Sequence, residues 1–186
     1  MTSKTELRQK LLALRDVMSA GEVAERSSQI RQRIASLPLF PAGASVFVYV
    51  SQANEVDTHE LIQLWLGSGI RVAVPYIHDS GQIQARMIGC FSELVVGAFG
   101  ILTAKAAPIY QGPIDVCIVP AVALSKTGAR LGRGGGYYDR FLATDRVRVA
   151  IGLCFDRQFV EHLPVTELDR PVDIVVTDKR TVDVRG

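Results

Sequence analysis

The sequence predicts an α/β fold, a three-layer α/β/α sandwich in which a mostly parallel sheet carries helices on both faces. The first observation is that strand-like apolar runs alternate with segments whose apolar residues recur at helical spacing. The second is the run at 114–124, which is apolar at nearly every position and rich in β-branched residues. Such a run is typical of a strand covered on both faces. With 186 residues, the chain is expected to form a single domain spanning 1–186.

The N-terminal part predicts two helices. The first, at about 5–18, has an apolar face of leucines, whereas Lys4 and Arg8 are four apart and are neighbours on one side of it. Spacing alone favours a solvated basic face for these two residues. Ser19 and Glu22 form a capping box that opens the second helix.

The middle of the chain predicts strands followed by polar loops. A strand at 45–50 is followed by Glu55 and Asp57, and Asp57 is expected to cap a helix at 58–66. A second strand follows at 71–75. We expect a shorter strand at 82–88 and an irregular stretch at 92–113. Two later strands are expected at 147–155 and 172–177.

A glycine-rich loop follows the strand at 114–124. Its glycines are Gly128, Gly132, Gly134, Gly135 and Gly136. Glycines let the backbone approach an anion closely, and the N–H groups of a starting helix point at it. Arg130 and Arg133 add planar donors that suit phosphate oxygens, and Asp139 lies in the first turn of the next helix. The segment indicates an anion site, although a flexible connection is the alternative that glycine content alone allows.

Two known phosphate-binding patterns fit this loop poorly. Gly132 and Gly134 match the start of the dinucleotide fingerprint, but Tyr137 stands where its third glycine is needed. The P-loop pattern is absent, because neither Lys-Ser nor Lys-Thr follows the glycines. A dinucleotide-dependent oxidoreductase remains an alternative, with Asp156 at the end of a later strand as the acid that would bind a ribose.

Parallel α/β sheets bind ligands beyond the carboxyl ends of their strands. This rule brings Glu55, Pro75-Tyr76, the glycine loop and Asp156 to one cleft. Asp173 begins its strand and reaches the same edge only if that strand runs antiparallel.

Composition argues against several functions. A net charge of +2 gives no reason to expect nucleic acid or an anionic membrane as a partner. The apolar stretches are too short to cross a bilayer, and the first residues are too polar for a signal peptide. Three cysteines and three histidines lack the spacing of a disulfide framework, a zinc site or a catalytic triad. A reducing, cytoplasmic location is expected.

The segment RLGRGGGYYDRFL at 130–142, after a strand that reaches Val119-Pro120, resembles the signature of 5-formyltetrahydrofolate cyclo-ligases. These enzymes are also called 5,10-methenyltetrahydrofolate synthetases. Further matches follow in family order along nearly the whole chain: Lys4 with Arg8, Glu55-Val56-Asp57-Thr58, Phe99-Gly100-Ile101, and Val172-Asp173 with Thr177.

The resemblance implies a fold like that of NagB, RpiA and the CoA transferases. It implies an ATP- and Mg²⁺-dependent cyclisation of 5-formyltetrahydrofolate to 5,10-methenyltetrahydrofolate, with release of ADP and phosphate. Phosphorylation of the formyl oxygen would precede attack by N10. A monomer is expected, with no nucleic-acid or membrane partner. A non-catalytic nucleotide-binding regulatory module is an alternative, against which Glu55 together with Arg130 and Asp139 argues.

The resemblance also implies roles for the matching positions. The residues implied to bind ATP are Lys4, Arg8, Arg130, Leu131, Gly132, Arg133, Gly134, Gly135, Gly136, Tyr137 and Tyr138. Those implied to bind the folate are Val50, Glu55, Arg133, Gly134, Gly135, Gly136 and Tyr137. The implied catalytic residues are Arg130, Arg133 and Tyr137, and the implied Mg²⁺ ligands are Asp139 and Asp173.

Six positions depart from the family pattern, namely Ala121, Leu124, Ser125, Thr103, Ala104 and Ile70. None of them is implied to bind phosphate or metal. They therefore concern recognition of the folate, above all its glutamate tail.

Overall fold

A computed structural model gives the fold of residues 3–78, 80–97 and 100–185. The α-helices in these ranges are α1 (Lys4–Asp16), α2 (Ala20–Ala35), α3 (His59–Gly67) and α4 (Tyr137–Leu142). The strands are β1 (Ser45–Val48), β2 (Arg71–Ile77), β3 (Ile83–Ile88), β4 (Val95–Val96), β5 (Leu102–Thr103), β6 (Ile114–Pro120), β7 (Ala123–Ser125), β8 (Arg130–Leu131), β9 (Val147–Leu153), β10 (Phe159–Val160), β11 (Ile174–Val176) and β12 (Thr181–Asp183). Short 3-10 helices lie at Phe91–Glu93 and Asp156–Gln158.

The central sheet has seven strands in the order β12-β11-β9-β6-β1-β2-β3. The five inner strands are parallel, and the two edge strands β12 and β3 pair antiparallel with their neighbours. This confirms the predicted mostly parallel sheet. Two small sheets accompany it, with orders β10-β7-β8 and β4-β5.

Local sequence determines where the first two helices begin. Ser3 and Ser19 are the N-caps of α1 and α2, and each forms a capping box with a glutamate three residues later, Glu6 and Glu22. The box at Ser19 confirms the prediction, whereas the box at Ser3 is an additional start signal. Among the helices in the described ranges, none combines the length and the apolar character needed to cross a bilayer.

The sheet is covered on both faces, but by different structures. Val46 and Val48 point to the face on which α2 and α3 pack. Phe47, between them, points to the opposite face, where it meets Phe141 of α4 and the same core contains Leu124 of β7. The second layer is therefore built from one six-residue helix and a small sheet rather than from helices alone. The likeness to the NagB and RpiA fold stays a prediction.

Two local predictions are wrong. The apolar run at 114–124 is two strands, because β6 ends at Pro120 and the chain turns before β7 joins another sheet. Both strands are buried, so unbroken apolarity does not reveal the turn. The N-cap of α3 is Thr58 rather than Asp57, and Asp57 accepts a 3.2 Å hydrogen bond from the His59 N–H.

Candidate active site

A cavity of about 1250 Å³ lies at the carboxyl edge of the parallel strands. Residues that end or follow β1, β2 and β6 line it, among them Tyr49, Tyr76 and Ala121. The convergence of these strand ends was predicted from the sequence and is confirmed. A site for one small molecule usually has roughly 300–1000 Å³, so this cavity has room for two ligands side by side.

Every residue to which the family resemblance assigns a role, except Asp173, lines this cavity. The lining includes Lys4, Arg8, Val50, Glu55, Arg130, Leu131, Gly132, Arg133, Gly134, Gly135, Gly136, Tyr137, Tyr138 and Asp139. Residues more than 120 positions apart in the chain thus share one wall. Phe99, which belongs to another family match, lies outside the described residues.

The glycine loop has a left-handed backbone, which glycine adopts most readily, at Gly128, Gly134 and Gly136. Gly134 has φ +102° and Gly136, the N-cap of α4, has φ +63°. A Cβ on Gly134 would lie 3.7 Å from the Arg8 guanidinium, an ordinary contact, so conformation requires glycine there more than space does. Gly128 has a different role, because a Cβ there would lie 2.3 Å from the Val172 carbonyl oxygen.

Arg130 holds the carboxylate of Asp139. It lies on β8, is buried, and donates from Nη2 to Asp139 Oδ1 at 2.7 Å. The Arg170 backbone N–H donates to the same oxygen at 3.2 Å. Oδ2 of Asp139 accepts no hydrogen bond from the described residues and is available to a ligand. Arg130 therefore lines the cavity as the partner of a carboxylate.

Glu55 forms ion pairs with two arginines. Its Oε1 accepts a 2.9 Å hydrogen bond from Arg133 Nη2 and lies 3.7 Å from Arg15 Nη1. Its Oε2 accepts from the Gln52 backbone N–H at 3.1 Å. Arg133 is largely exposed whereas Arg15 is buried, so the two cations approach the carboxylate from solvent and from the protein interior.

The two basic residues of α1 connect the helix to the cavity wall. Lys4 Nζ forms an ion pair with Asp169 Oδ2, and Arg8 Nε donates to the Gly132 carbonyl at 2.8 Å. Burial alone would raise the pKa of Asp169, but hydrogen bonds from Lys4 and Thr166 outweigh it and leave that pKa below its ordinary value. The solvated-surface alternative for Lys4 and Arg8 does not describe these contacts.

The structure does not bring Asp173 to the cavity. β11 runs parallel to β9, so Asp173, which precedes β11, lies at the amino end of the strand. Its Oδ2 accepts a 2.7 Å hydrogen bond from the Ala150 backbone N–H. Asp169, four residues earlier, lines the cavity instead. No local pattern distinguishes the two acids, because only the path of the loop between β10 and β11 decides which one reaches the site.

Asp156 is also absent from the cavity lining. Arg180 Nε and Nη2 bind its two carboxylate oxygens at 2.7 and 3.0 Å. The dinucleotide alternative therefore loses the acid that was expected to bind a ribose.

Asp139 and Asp169 are the carboxylates best placed to hold a metal. Oδ1 of Asp169, like Oδ2 of Asp139, accepts no hydrogen bond from the described residues. Within those residues, no cluster of three or more His, Cys, Asp or Glu side chains could enclose a metal by itself. The pair suits Mg²⁺, which is commonly held by one or two carboxylates together with substrate phosphates and water.

Arg15 is a cavity residue that sequence reasoning does not find. Burial lowers its pKa, and its Nε lies buried with no hydrogen-bond acceptor among the described residues. The signal in the sequence is its position seven residues after Arg8, which places both on one face of the predicted first helix.

Tyrosines and aliphatic side chains form the less polar walls. Tyr137 lies beneath the Arg140 guanidinium, 5.2 Å from the ring centre, and the hydroxyl of Tyr138 is buried without a partner among the described residues. Burial raises the pKa of Tyr138, so this hydroxyl keeps its proton. Of the six departures from the family pattern, Ala121 and Thr103 line the cavity. The other four, Leu124, Ser125, Ala104 and Ile70, are buried elsewhere.

Comparisons with known proteins identify the family of this chain. A family model described as the 5-formyltetrahydrofolate cyclo-ligase family matches residues 1–178. A 5-formyltetrahydrofolate cyclo-ligase of Escherichia coli K12 is 34% identical over 89% of this chain and 95% of its own. The solution structure of Aquifex aeolicus 5,10-methenyltetrahydrofolate synthetase superposes with a TM-score of 0.87 at 34% identity, covering 98% of this chain and 93% of that one. A Mycoplasma pneumoniae synthetase, at 24% identity and a TM-score of 0.75 over 95% and 99% of the two chains, shares the fold.

Proposed function

This chain belongs to the 5-formyltetrahydrofolate cyclo-ligase family, and we propose that it closes 5-formyltetrahydrofolate to 5,10-methenyltetrahydrofolate with ATP and Mg²⁺. ADP and inorganic phosphate are the other products. The observation that carries the proposal is that the residues expected on ATP and those expected on the folate line one cavity large enough for both.

The chemistry explains why a nucleotide is needed. The N5-formyl group is an amide, and its oxygen is a poor leaving group. Transfer of the γ-phosphoryl group breaks its bond to ADP and joins the phosphorus to the formyl oxygen, which leaves an iminium carbon. N10 then attacks that carbon and loses its proton, and the carbon–oxygen bond breaks to release phosphate. The protein must align the reactants and stabilise the moving negative charge.

The basic end of the cavity suits the triphosphate. Lys4 and Arg8 of α1 face the glycine loop at 132–136, where glycine carries the left-handed backbone. Lys4 is paired with Asp169 and Arg133 with Glu55, so phosphate binding exchanges carboxylate partners for phosphate oxygens. Both cations therefore keep an anionic partner throughout the exchange.

Mg²⁺ would be held at the free carboxylate oxygens of Asp139 and Asp169, together with phosphate oxygens. When bound, the ion neutralises phosphate charge and orients the γ-phosphoryl group. Arg130 fixes the Asp139 carboxylate through its 2.7 Å hydrogen bond, and this keeps the second oxygen turned to the cavity. Asp173 is not proposed as a metal ligand, because it accepts a hydrogen bond from the Ala150 N–H at the amino end of β11, away from the cavity.

The folate would occupy the side of the cavity formed by Val50, Glu55 and Tyr137. The Glu55 carboxylate, which is 14% exposed, would accept hydrogen bonds from N–H groups near the reacting centre, and Tyr137 would supply an aromatic wall. One domain, a monomeric state and a cytoplasmic location stay predictions, as does the absence of nucleic-acid and membrane partners.

The test is the absorbance of the methenyl product when purified protein is mixed with 5-formyltetrahydrofolate, ATP and Mg²⁺. We expect product only when all three are present, and none when a chelator replaces Mg²⁺ or a non-hydrolysable analogue replaces ATP. Tight binding of NAD without turnover would favour the oxidoreductase alternative. Binding of ATP without any turnover would favour the regulatory module.

A further inference from the structure

Arg15 places a positive charge on the cavity wall without giving it a hydrogen-bond partner. The residue is 5% exposed, and no acceptor among the described residues lies within hydrogen-bond distance of its guanidinium. Glu55 is its nearest anion at 3.7 Å, but the oxygens of Glu55 are already bonded to Arg133 and the Gln52 N–H. The side-chain N–H groups of Arg15 therefore donate no hydrogen bond to any of the described residues.

Such a group is costly to the fold. A buried charge that lacks hydrogen bonds loses hydration, and the single ion pair with Glu55 at 3.7 Å offsets only part of that loss. The neighbouring Tyr49 adds no hydrogen bond, since it donates its hydroxyl proton to the Val56 carbonyl and accepts nothing from Arg15. A ligand that brings anionic oxygens into the cavity would accept hydrogen bonds from the N–H groups of Arg15.

The position of Arg15 along α1 indicates which part of the ligand it meets. Lys4, Arg8 and Arg15 fall within about 40° of one another around a helix axis, and all three line the cavity. Arg15 lies ~10 Å beyond Arg8 along the helix, whereas Lys4 and Arg8 are ~6 Å apart. These three cations therefore form a row along α1. The row begins with Lys4 and Arg8 near the glycine loop and ends with Arg15 beside Glu55, where the folate is proposed to react.

We propose that Arg15 is a catalytic residue that donates hydrogen bonds to the phosphoryl group as it passes from ATP to the formyl oxygen. The inference rests on the proposed function. In this transfer the bond from phosphorus to the ADP oxygen breaks while the bond to the formyl oxygen forms, and negative charge spreads over the phosphoryl oxygens. Arg15 supplies a cation there and keeps its proton throughout. The folate glutamate tail is a poorer fit, because a flexible, charged tail favours solvent and Arg15 is buried.

The experiment compares Arg15→Gln and Arg15→Lys with the parent protein. Lys10→Gln is the matched control, since Lys10 is an exposed cation on the same helix. We expect Arg15→Gln to lower kcat roughly 100-fold or more with little change in either KM, and Arg15→Lys to recover part of the loss. Lys10→Gln should match the parent. A parent-like kcat in Arg15→Gln, or a change confined to the KM of the folate, would overturn the inference.

Binding measurements separate a catalytic role from a structural one. With 5-formyltetrahydrofolate and Mg²⁺ present, ADP with aluminium fluoride imitates the phosphoryl group in transit. Arg15→Gln should weaken binding of that mixture in proportion to its loss of kcat, while its affinity for ADP alone stays at the parent value. Equal weakening of both would assign Arg15 to the nucleotide at rest and contradict the proposal.

Thermal unfolding supplies the control for folding. Arg15→Gln removes a buried charge that lacks hydrogen bonds and leaves Glu55 paired with Arg133, so its Tm should equal or exceed that of the parent. If Arg15→Gln is instead unstable, Arg15→Lys carries the kinetic comparison. An inactive parent would overturn both proposals, whereas an active parent with an equally active, folded Arg15→Gln overturns this one alone.

Discussion

The Arg133 guanidinium donates a 2.9 Å hydrogen bond to the Glu55 carboxylate across 78 residues of sequence. The bond joins the glycine loop to the segment that follows β1, so it links the nucleotide side of the cavity to the proposed folate side. The Arg133 side chain is 59% exposed and that of Glu55 only 14%. The arginine can therefore leave the carboxylate without disturbing the core.

Arg133→Ala should lower the rate and leave the fold intact. Loss of one hydrogen bond from a charged donor is worth roughly 1.5–3 kcal/mol, or about one to two decades in kcat if the bond acts in the transition state. Stability should change by less than about 1 kcal/mol, because an exposed ion pair contributes little. Steady-state kinetics and urea unfolding measure the two effects. Arg148→Ala, which removes another exposed pair away from the cavity, should keep the parent rate.

Gly134→Val should abolish turnover at a modest cost in stability. A side chain at φ +102° strains the loop, and its Cβ would come within 3.7 Å of the Arg8 guanidinium, on the side where phosphate is proposed to bind. Gly67→Ala is the control, because Gly67 has open space around its Cβ position and an ordinary φ. Kinetics and calorimetric ATP binding give the result. If Gly134→Val turns over at the parent rate with ordinary ATP affinity, the glycine loop does not hold phosphate.

Asp139→Asn and Asp169→Asn should each raise the Mg²⁺ concentration needed for half-maximal rate, by roughly tenfold or more. Each variant removes half the charge that the cavity offers to the ion. Asp173→Asn should leave the Mg²⁺ dependence unchanged, because Asp173 binds the Ala150 N–H outside the cavity. Titration of the rate with Mg²⁺ compares the three. A Mg²⁺ shift in Asp173→Asn with none in Asp169→Asn would restore the metal ligand expected from the sequence.

Acid should remove the stabilisation that Asp169 provides. Its pKa in the folded protein is below the ordinary value, so its stabilising effect is full above about pH 4 and is lost as the pH falls through the folded value. The free energy of unfolding of Asp169→Asn should therefore lie below that of the parent at pH 7, and the difference should shrink toward pH 3. Urea unfolding at several pH values measures it. A difference that grows on acidification would show that the Lys4 ion pair does not stabilise the fold.

The regular elements of the fold could be predicted from the sequence because their apolar patterns are local. The capping box at Ser19 and the strand before Glu55 are of this kind. The turn after Pro120 could not be predicted, because the residues on both sides of it are buried and equally apolar. For the same reason the sequence does not show that β7, rather than a helix, helps to cover the second face of the sheet.

The candidate site was predictable where function depends on a short segment. The signature at 130–142 identified the loop, and the strand-end rule placed Glu55 opposite it. Whether Asp169 or Asp173 lies in the cavity depends on the path of the long loop that leads back to the sheet. The spacing of residues in the sequence does not reveal that path. Arg15 was overlooked because a cation near the end of a helix is usually solvated, and only the packed structure shows it buried.

The ion pair between Lys4 and Asp169 has a consequence for biosynthesis. It spans 165 positions, so the cavity takes one wall from α1 and another from a loop that the ribosome makes much later. Proteins are made from the N-terminus, and a ligand stabilises only a chain that already has its binding site. A nascent chain therefore completes most of its sheet before nucleotide or folate can assist it, and cellular ligand levels protect finished molecules rather than growing ones.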